Sequence, residues 1–275
     1  MSNAPLIDAP SSLSEKWPLP EAASFLPDDR SLLVPLTSTP PCTSVFEMKF
    51  ANGKTAKVQH WRNFILGEDA KLFFTKCQSL SKSKILQSEY PVTPNGRKKT
   101  LRKSAGFGDK DFEHAYNGMI QKSRPWPPWL LPIRKRLERM FSQKFEFALI
   151  NEYSAKDAAI GPHADDEKTI VSRSIIVSIS LGATRTLQLT DKDFGKVLRS
   201  ITLHSGSLYS MELDTQDCLK HAILPGEQEE GPRYSITFRH IIPIHKRKHL
   251  QTEQRRSKKN KDLSGAGPGN PGRRK

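Results

Sequence analysis

Only three cysteines, Cys42, Cys77 and Cys218, occur in the 275 residues, an odd count with no C-x-x-C spacing. That usage excludes a disulfide framework and a cysteine zinc site, fits a reducing compartment, and leaves the three as small buried side chains. No apolar run approaches the roughly 20 residues that cross a bilayer, and Met1–Pro20 lacks a charged start followed by an apolar core. Neither membrane nor secretion is expected, and the protein should be intracellular. There is no Walker loop and no G-x-S-x-G, and no G-x-G-x-x-G stands between a strand-like run and a helix, the one match, Gly267–Gly272, carrying two prolines in the tail, so phosphoryl transfer, dinucleotide binding and serine hydrolysis have no support. Acidic residues are also scarce. Against 44 Lys and Arg stand 29 Asp and Glu, a net charge of +15 that favours a polyanionic partner. Residues 245–275 hold eleven Lys or Arg against Glu253 and Asp262. The clusters Lys246-Arg247-Lys248 and Arg255–Lys261 there read as a nuclear address, with the cytoplasm the other compartment; a tail that merely aids solubility is the plainer reading.

The length suits one catalytic domain with tails. Residues 1–43 mix Pro, Ser, Asp and isolated apolar residues without period and read as disordered; 44–244 is the domain; 245–275 is a basic disordered tail. V-F-E-M-K-F alternates as a strand, and Asn52-Gly53 signals a hairpin into A-K-V-Q-H-W. Phe64 to Leu80 carries Leu66, Leu72, Phe73 and Cys77 at helical spacing. Lys82 to Lys103 is a basic loop; its run of Arg97, Lys98, Lys99, Arg102 and Lys103 either tracks a phosphate backbone or is a solvated charge run. Pro132 opens a helix with Leu137, Met140 and Phe141 on its buried face. K-F-E-F-A-L-I-N-E-Y then reads as a strand with Phe145, Phe147 and Leu149 facing one way and Asn151 and Tyr153 continuing that row. Five further short strands follow between Ser174 and Ile242. The fold class is therefore mainly β with flanking helices (α+β), an antiparallel sandwich or jelly roll.

Chemistry concentrates in Asn151 to Glu167, N-E-Y-S-A-K-D-A-A-I-G-P-H-A-D-D-E. On an extended segment residues i and i+2 point to the same side, so His163 and Asp165 can reach one ion together. His221, after a series of strands, is the best candidate third ligand. Two His and one carboxylate on one face of an octahedral ion is the arrangement of non-haem Fe(II) oxygenases. In R-Y-S-I-T-F-R, alternation puts Arg233, Ser235, Thr237 and Arg239 on one face and Tyr234, Ile236 and Phe238 on the other. Arginine grips a carboxylate in bidentate fashion. An iron site beside such a strand suggests an oxidase that binds a dicarboxylate acid.

The series N-E-Y, I-G-P-H-A-D-D-E, S-I-S-L-G-A-T-R, T-Q-D-C-L-K-H and R-Y-S-I-T-F-R resembles the AlkB family of Fe(II) and 2-oxoglutarate dependent dioxygenases. The upstream L-R-K-S-A-G-F-G-D and H-A-Y-N-G are similar to its nucleic-acid repair branch, so the resemblance covers residues 95–241 in order. It implies a double-stranded β-helix core and oxidative removal of N-alkyl groups from nucleobases of DNA or RNA, single-stranded or with the base flipped out. It implies Fe(II) on His163, Asp165 and His221, which are thereby the catalytic residues. Asn151, Tyr153, Arg233, Ser235, Thr237 and Arg239 would bind 2-oxoglutarate, with Arg233 at the distal carboxylate and Arg239 nearer the iron. Tyr116 would stack on the target base opposite His163, with His114, Asp166 and Glu167 beside it. The protein is expected to be a monomer. The alternatives are a lapsed nucleic-acid-binding module and an oxygenase acting on a protein side chain.

Overall fold

The computed structural model describes residues 40–90, 92–93, 96–97, 99–116, 118–226, 231–244 and 246. The disorder expected for 1–43 and 245–275, and the proposed nuclear address, therefore fall almost wholly outside the described residues. In chain order the strands and helices begin with β1 (Ser44–Lys49), β2 (Thr55–Trp61) and α1 (Gly67–Lys82). Three two-residue strands follow, β3 (Gln87–Ser88), β4 (Val92–Thr93) and β5 (Gly96–Arg97), then β6 (Arg102–Gly108), β7 (Glu113–Tyr116) and β8 (Met119–Lys122). α2 (Leu131–Phe141) leads into β9 (Phe147–Tyr153) and β10 (Ile160–His163). The last part holds β11 (Ile176–Gly182), β12 (Arg185–Asp191), β13 (Val197–Leu203), β14 (Ser207–Leu213), the single turn α3 (Thr215–Cys218), β15 (Leu219–Ile223) and β16 (Arg233–Arg239).

The long strands build an eight-stranded sheet in the order β1-β2-β14-β11-β16-β9-β6-β3 and a four-stranded sheet in the order β10-β15-β12-β13. Every pairing within them is antiparallel. The result is a mixed α+β fold around a multistranded antiparallel sheet. Alternation then assigns faces. Phe73 and Cys77 of α1 and Ile133 and Leu137 of α2 pack with Val177, Ile179, Ile236 and Phe238 in one apolar cluster, so the helices cover one side of the large sheet. Ile176, Tyr209 and Met211 on its other side pack with Leu187, Leu189 and Leu203 of the small sheet. Each fully buried large apolar side chain contributes roughly 1.5–3 kcal/mol, which fixes the strand register because a one-residue slip would reverse every face.

Close approach explains one glycine. Gly206 has φ +84°, and a Cβ there would lie 2.0 Å from the Ile65 carbonyl oxygen, so the turn before β14 has room for no side chain.

Several local expectations need correction. Leu66 precedes α1 and is exposed rather than buried, because the helix starts only at Gly67. Phe145 precedes β9 and packs with Phe238 in the cluster under the helices, whereas Phe147 and Leu149 join Tyr116 in a separate one. The segment 82–103 is not a plain loop but contains β3, β4 and β5. Within it Arg102 is buried against Glu89, and Lys103 lies 3.1 Å from Glu152. Those two cations already have carboxylate partners and are not free to track a phosphate backbone.

Candidate metal centre and co-substrate pocket

The polar face of β16 looks into the space between the sheets. Register sets Arg233 beside Tyr153, Ser235 beside Asn151 and Thr237 beside Leu149 on β9, so the N-E-Y motif and the arginine strand present their polar side chains in adjoining rows. Facing them, β10 pairs with β15 such that His163 stands directly opposite His221. Pro162 fits there because β10 is the edge of its sheet, where a missing N–H costs no ladder bond. The ring centroids of the two histidines are 4.2 Å apart, and His163, Asp165 and His221 each offer one ligand atom within 4.8 Å of the others.

The neighbours orient these three groups. His163 Nδ1 lies 2.9 Å from the Gly161 carbonyl; a carbonyl only accepts, so Nδ1 carries the proton and Nε2 offers its lone pair. The Asp165 N–H donates to Gln216 Oε1 at 2.8 Å, tying the loop after β10 to the turn that leads into β15. Arg239 donates to Asp165 Oδ2 from Nη2 at 2.6 Å and Nε at 3.2 Å, while Oδ1 lies 3.6 Å from His163 Nε2. Burial opposes charge on Asp165, but Arg239 and then His221 and His163 outweigh it and hold the carboxyl well below its usual range. Burial first, and His163 second, push the His221 imidazole down to about 3, so its lone pair is free. Two imidazoles and one carboxylate, with the second carboxylate oxygen held by an arginine, suit an octahedral Fe(II) with open positions.

The rest of the pocket suits an acid with two carboxylates. Arg233 is 0% exposed; its Nε donates to Ser180 Oγ at 2.9 Å and its guanidinium lies 4.8 Å from the Tyr153 ring centroid. Both Nη atoms of Arg233, Arg239 Nη1 and Asn151 Oδ1 have no hydrogen-bond partner among the described residues. A buried guanidinium with idle donors is costly, and a bidentate carboxylate removes that cost. Asn151 Nδ2 reaches Ser235 Oγ at 3.4 Å, and Thr237 Oγ1 lies 3.1 Å from Ser178 Oγ.

His114, Tyr116 and Glu167 line the same cavity as the three candidate ligands and the arginines. His114 Nδ1 lies 3.1 Å from Thr169 Oγ1, and its ring stacks on Tyr116 with centroids 5.1 Å apart. Burial, then Asp165, push the Glu167 carboxyl up to about 7. Asp166 does not join them. Its half-exposed carboxylate is 2.8 Å from Lys192 Nζ, and it lines a neighbouring groove of about 690 Å³ that Asp165 and Glu167 also border, but not this cavity. Residues that sequence reasoning passed over also line the cavity, among them Arg102 and Tyr209. Tyr209 carried a signal, since alternation within G-S-L-Y-S-M-E-L sets it on one face with Met211.

Comparison with known proteins agrees with this geometry. Residues 57–239 match the 2OG-Fe(II) oxygenase superfamily. The chain is 35% identical over 159 residues to DNA oxidative demethylase ALKBH2 of Bos taurus, covering 55% of this chain and 57% of that protein. It is 31% identical over 151 residues to alpha-ketoglutarate-dependent dioxygenase alkB homolog 3 of Mus musculus, covering 52% of each. The chain thus spans between half and two thirds of these relatives' length. The solved structure of OsALKBH1 overlays with a TM-score of 0.50 at 16% identity, over 66% of this chain and 96% of that one, a likeness of fold. With a family match across most of the described domain and two histidines and an aspartate gathered beside an arginine-lined strand, the chain belongs to the AlkB family of 2OG-Fe(II) dioxygenases.

Proposed function

We propose that the protein is an oxidative dealkylase that removes N-alkyl groups from nucleobases of DNA or RNA, using Fe(II), 2-oxoglutarate and O2. One observation carries the reading: a two-histidine, one-carboxylate cluster, buried at Asp165 and His221 and half-buried at His163, shares a cavity with Arg233, whose two Nη donors have no partner among the described residues. The bovine relative named above, a DNA oxidative demethylase, supports nucleic acid as the substrate class, and the mouse relative, an alpha-ketoglutarate-dependent dioxygenase, supports the co-substrate. The net charge of +15 is of the sign that favours it. The two facing sheets are proposed to be the halves of a double-stranded β-helix.

His163, Asp165 and His221 would hold the iron. When bound, Fe(II) with 2-oxoglutarate and O2 supplies the oxidant that hydroxylates the N-alkyl carbon, giving succinate and carbon dioxide, and the hydroxylated group leaves as an aldehyde. Arg233 binds the distal carboxylate of the co-substrate, stiffened by Ser180 and Tyr153. Arg239 orients Asp165 and sets positive charge at the end nearer the metal. Asn151, Tyr153, Ser235 and Thr237, which line the same cavity, would also contact the acid. Tyr116 and His163 bracket the target base, single-stranded or flipped out, while Glu167 rather than Asp166 faces it. A monomer acting in the nucleus completes the proposal.

The test is succinate release by the Fe(II)-loaded protein with and without a single-stranded oligonucleotide carrying an N-methylated base. Stimulation by that oligonucleotide, lost in His163→Ala, is expected. Turnover unchanged in His163→Ala ends the reading, and stimulation by a methylated peptide in place of the oligonucleotide moves the substrate class to protein.

A further inference from the structure

Glu89 is 3% exposed, sits just after β3, and belongs to none of the motifs on which the site was built. Its carboxylate meets two donors from different strands. Oε2 accepts from Arg102 Nη2 on β6, and Oε1 accepts from the Tyr116 hydroxyl on β7. Arg102 and Tyr116 both line the cavity that holds the candidate metal ligands. Arg102 itself is 6% exposed, and its Nε has no partner among the described residues. Because Arg102 pairs with Tyr153 on β9, and Tyr153 with Arg233 on β16, Arg102 continues the row that carries the co-substrate arginine, two strands away.

A buried carboxylate is costly to desolvate and an ion pair seldom returns more than that cost, so fold stability gives little reason for an acid here. What it does supply is geometry. With its hydroxyl held by Glu89 and its ring stacked on His114, Tyr116 is held at two points where it lines the cavity. His114 in turn reaches Thr169, which follows the loop of Asp165 and Glu167. The chain from Arg102 through Glu89, Tyr116 and His114 to Thr169 therefore joins the cavity lining on β6 and β7 to the segment that follows Asp165 and Glu167.

We propose that Glu89 is a positioning residue for substrate: it locks Tyr116 in a stacking orientation and holds the Arg102 guanidinium in the cavity wall, where its idle Nε meets a hydrogen-bond acceptor on the incoming base. This rests on the dealkylase reading, since it assigns Tyr116 to the base. Glu89 acts through these two residues and touches neither metal nor 2-oxoglutarate. Its replacement should weaken handling of nucleic acid while leaving the co-substrate alone.

The test compares wild type, Glu89→Gln, Tyr116→Phe and the double variant. KM is measured for a single-stranded N-methylated oligonucleotide and for 2-oxoglutarate, together with succinate release in the absence of oligonucleotide. In Glu89→Gln the amide NH2 must face one of the two donors. Its oligonucleotide KM should rise about tenfold, the worth of one charge-assisted hydrogen bond, with 2-oxoglutarate KM and unstimulated release within about twofold of wild type. Tyr116→Phe, which keeps the ring and drops the hydroxyl, should reproduce part of that rise, and the double variant should fall short of the product of the two. A Glu89→Gln protein with unchanged oligonucleotide KM, with both KM values raised alike, or with an effect that multiplies with that of Tyr116→Phe overturns the assignment. If Glu89→Gln fails to fold, Tyr116→Phe decides alone: an oligonucleotide KM equal to wild type overturns it. Wild-type turnover indifferent to the oligonucleotide refutes the dealkylase reading and this inference with it, whereas a responsive wild type with an unaltered Glu89→Gln refutes only the role of Glu89.

Discussion

Replacing Arg233 with methionine separates a residue kept for a ligand from one kept for the fold. Methionine has similar length, no charge and no hydrogen-bond demand. The guanidinium is fully buried, both Nη atoms lack partners among the described residues, and the substitution removes the bond to Ser180 and the contact with the Tyr153 ring. Swapping a poorly satisfied buried charge for a well-packed apolar side chain is commonly neutral or stabilising. Arg233→Met should therefore melt at or above the wild-type temperature without ligand. Binding of 2-oxoglutarate should suffer greatly. Two charge-assisted hydrogen bonds at about 1.5–2.5 kcal/mol each amount to about 3–5 kcal/mol, or roughly 150- to 5000-fold in affinity. Since a ligand stabilises by RT ln(1 + [L]/Kd), the thermal shift produced by 2-oxoglutarate with Mn(II) should disappear in the variant at concentrations that saturate wild type. A variant that melts several degrees lower without ligand, yet shows the full 2-oxoglutarate shift, would refute the reasoning.

Two smaller predictions follow from the same geometry. Gly206→Ala should destabilise the fold by about 2–4 kcal/mol, since it adds a residue at positive φ and a methyl group where the Ile65 carbonyl already lies; chemical denaturation measures it, and an unchanged midpoint contradicts the packing. Lys192→Ala releases a half-exposed Asp166 and the Gln216 carbonyl and should change stability by less than about 1 kcal/mol, with oligonucleotide KM the quantity to follow; a large loss of stability would show that Lys192 fastens the loop of Asp165 to the turn before β15.

The site was legible in the sequence to the extent that it obeys short periods. His163 and Asp165 share a side because of i, i+2 spacing, and the R-Y-S-I-T-F-R strand declares its two faces by strict alternation. What lay across the sheet was less visible. β15 carries His221 but is five residues long and buried on both sides apart from Lys220, so it shows no alternation and reads as part of a loop. Arg102 was misplaced because its neighbours in sequence are cations and its partner, Glu89, lies thirteen residues upstream across a hairpin. A charge run looks solvated unless the pairing of β3 and β6 is known. Asp166, which the resemblance set beside the base, pairs outside the cavity with Lys192, a partner 26 residues further along the chain.

The account stands on three side chains closing round one ion. Titration of the protein with Mn(II), following the loss of the free-ion electron paramagnetic resonance signal, tests this directly in wild type, His163→Ala, Asp165→Asn and His221→Ala. One tight ion per wild-type chain, with affinity weakened at least tenfold in each variant, is the expected result. A variant at any of the three positions that binds Mn(II) as tightly as wild type contradicts it.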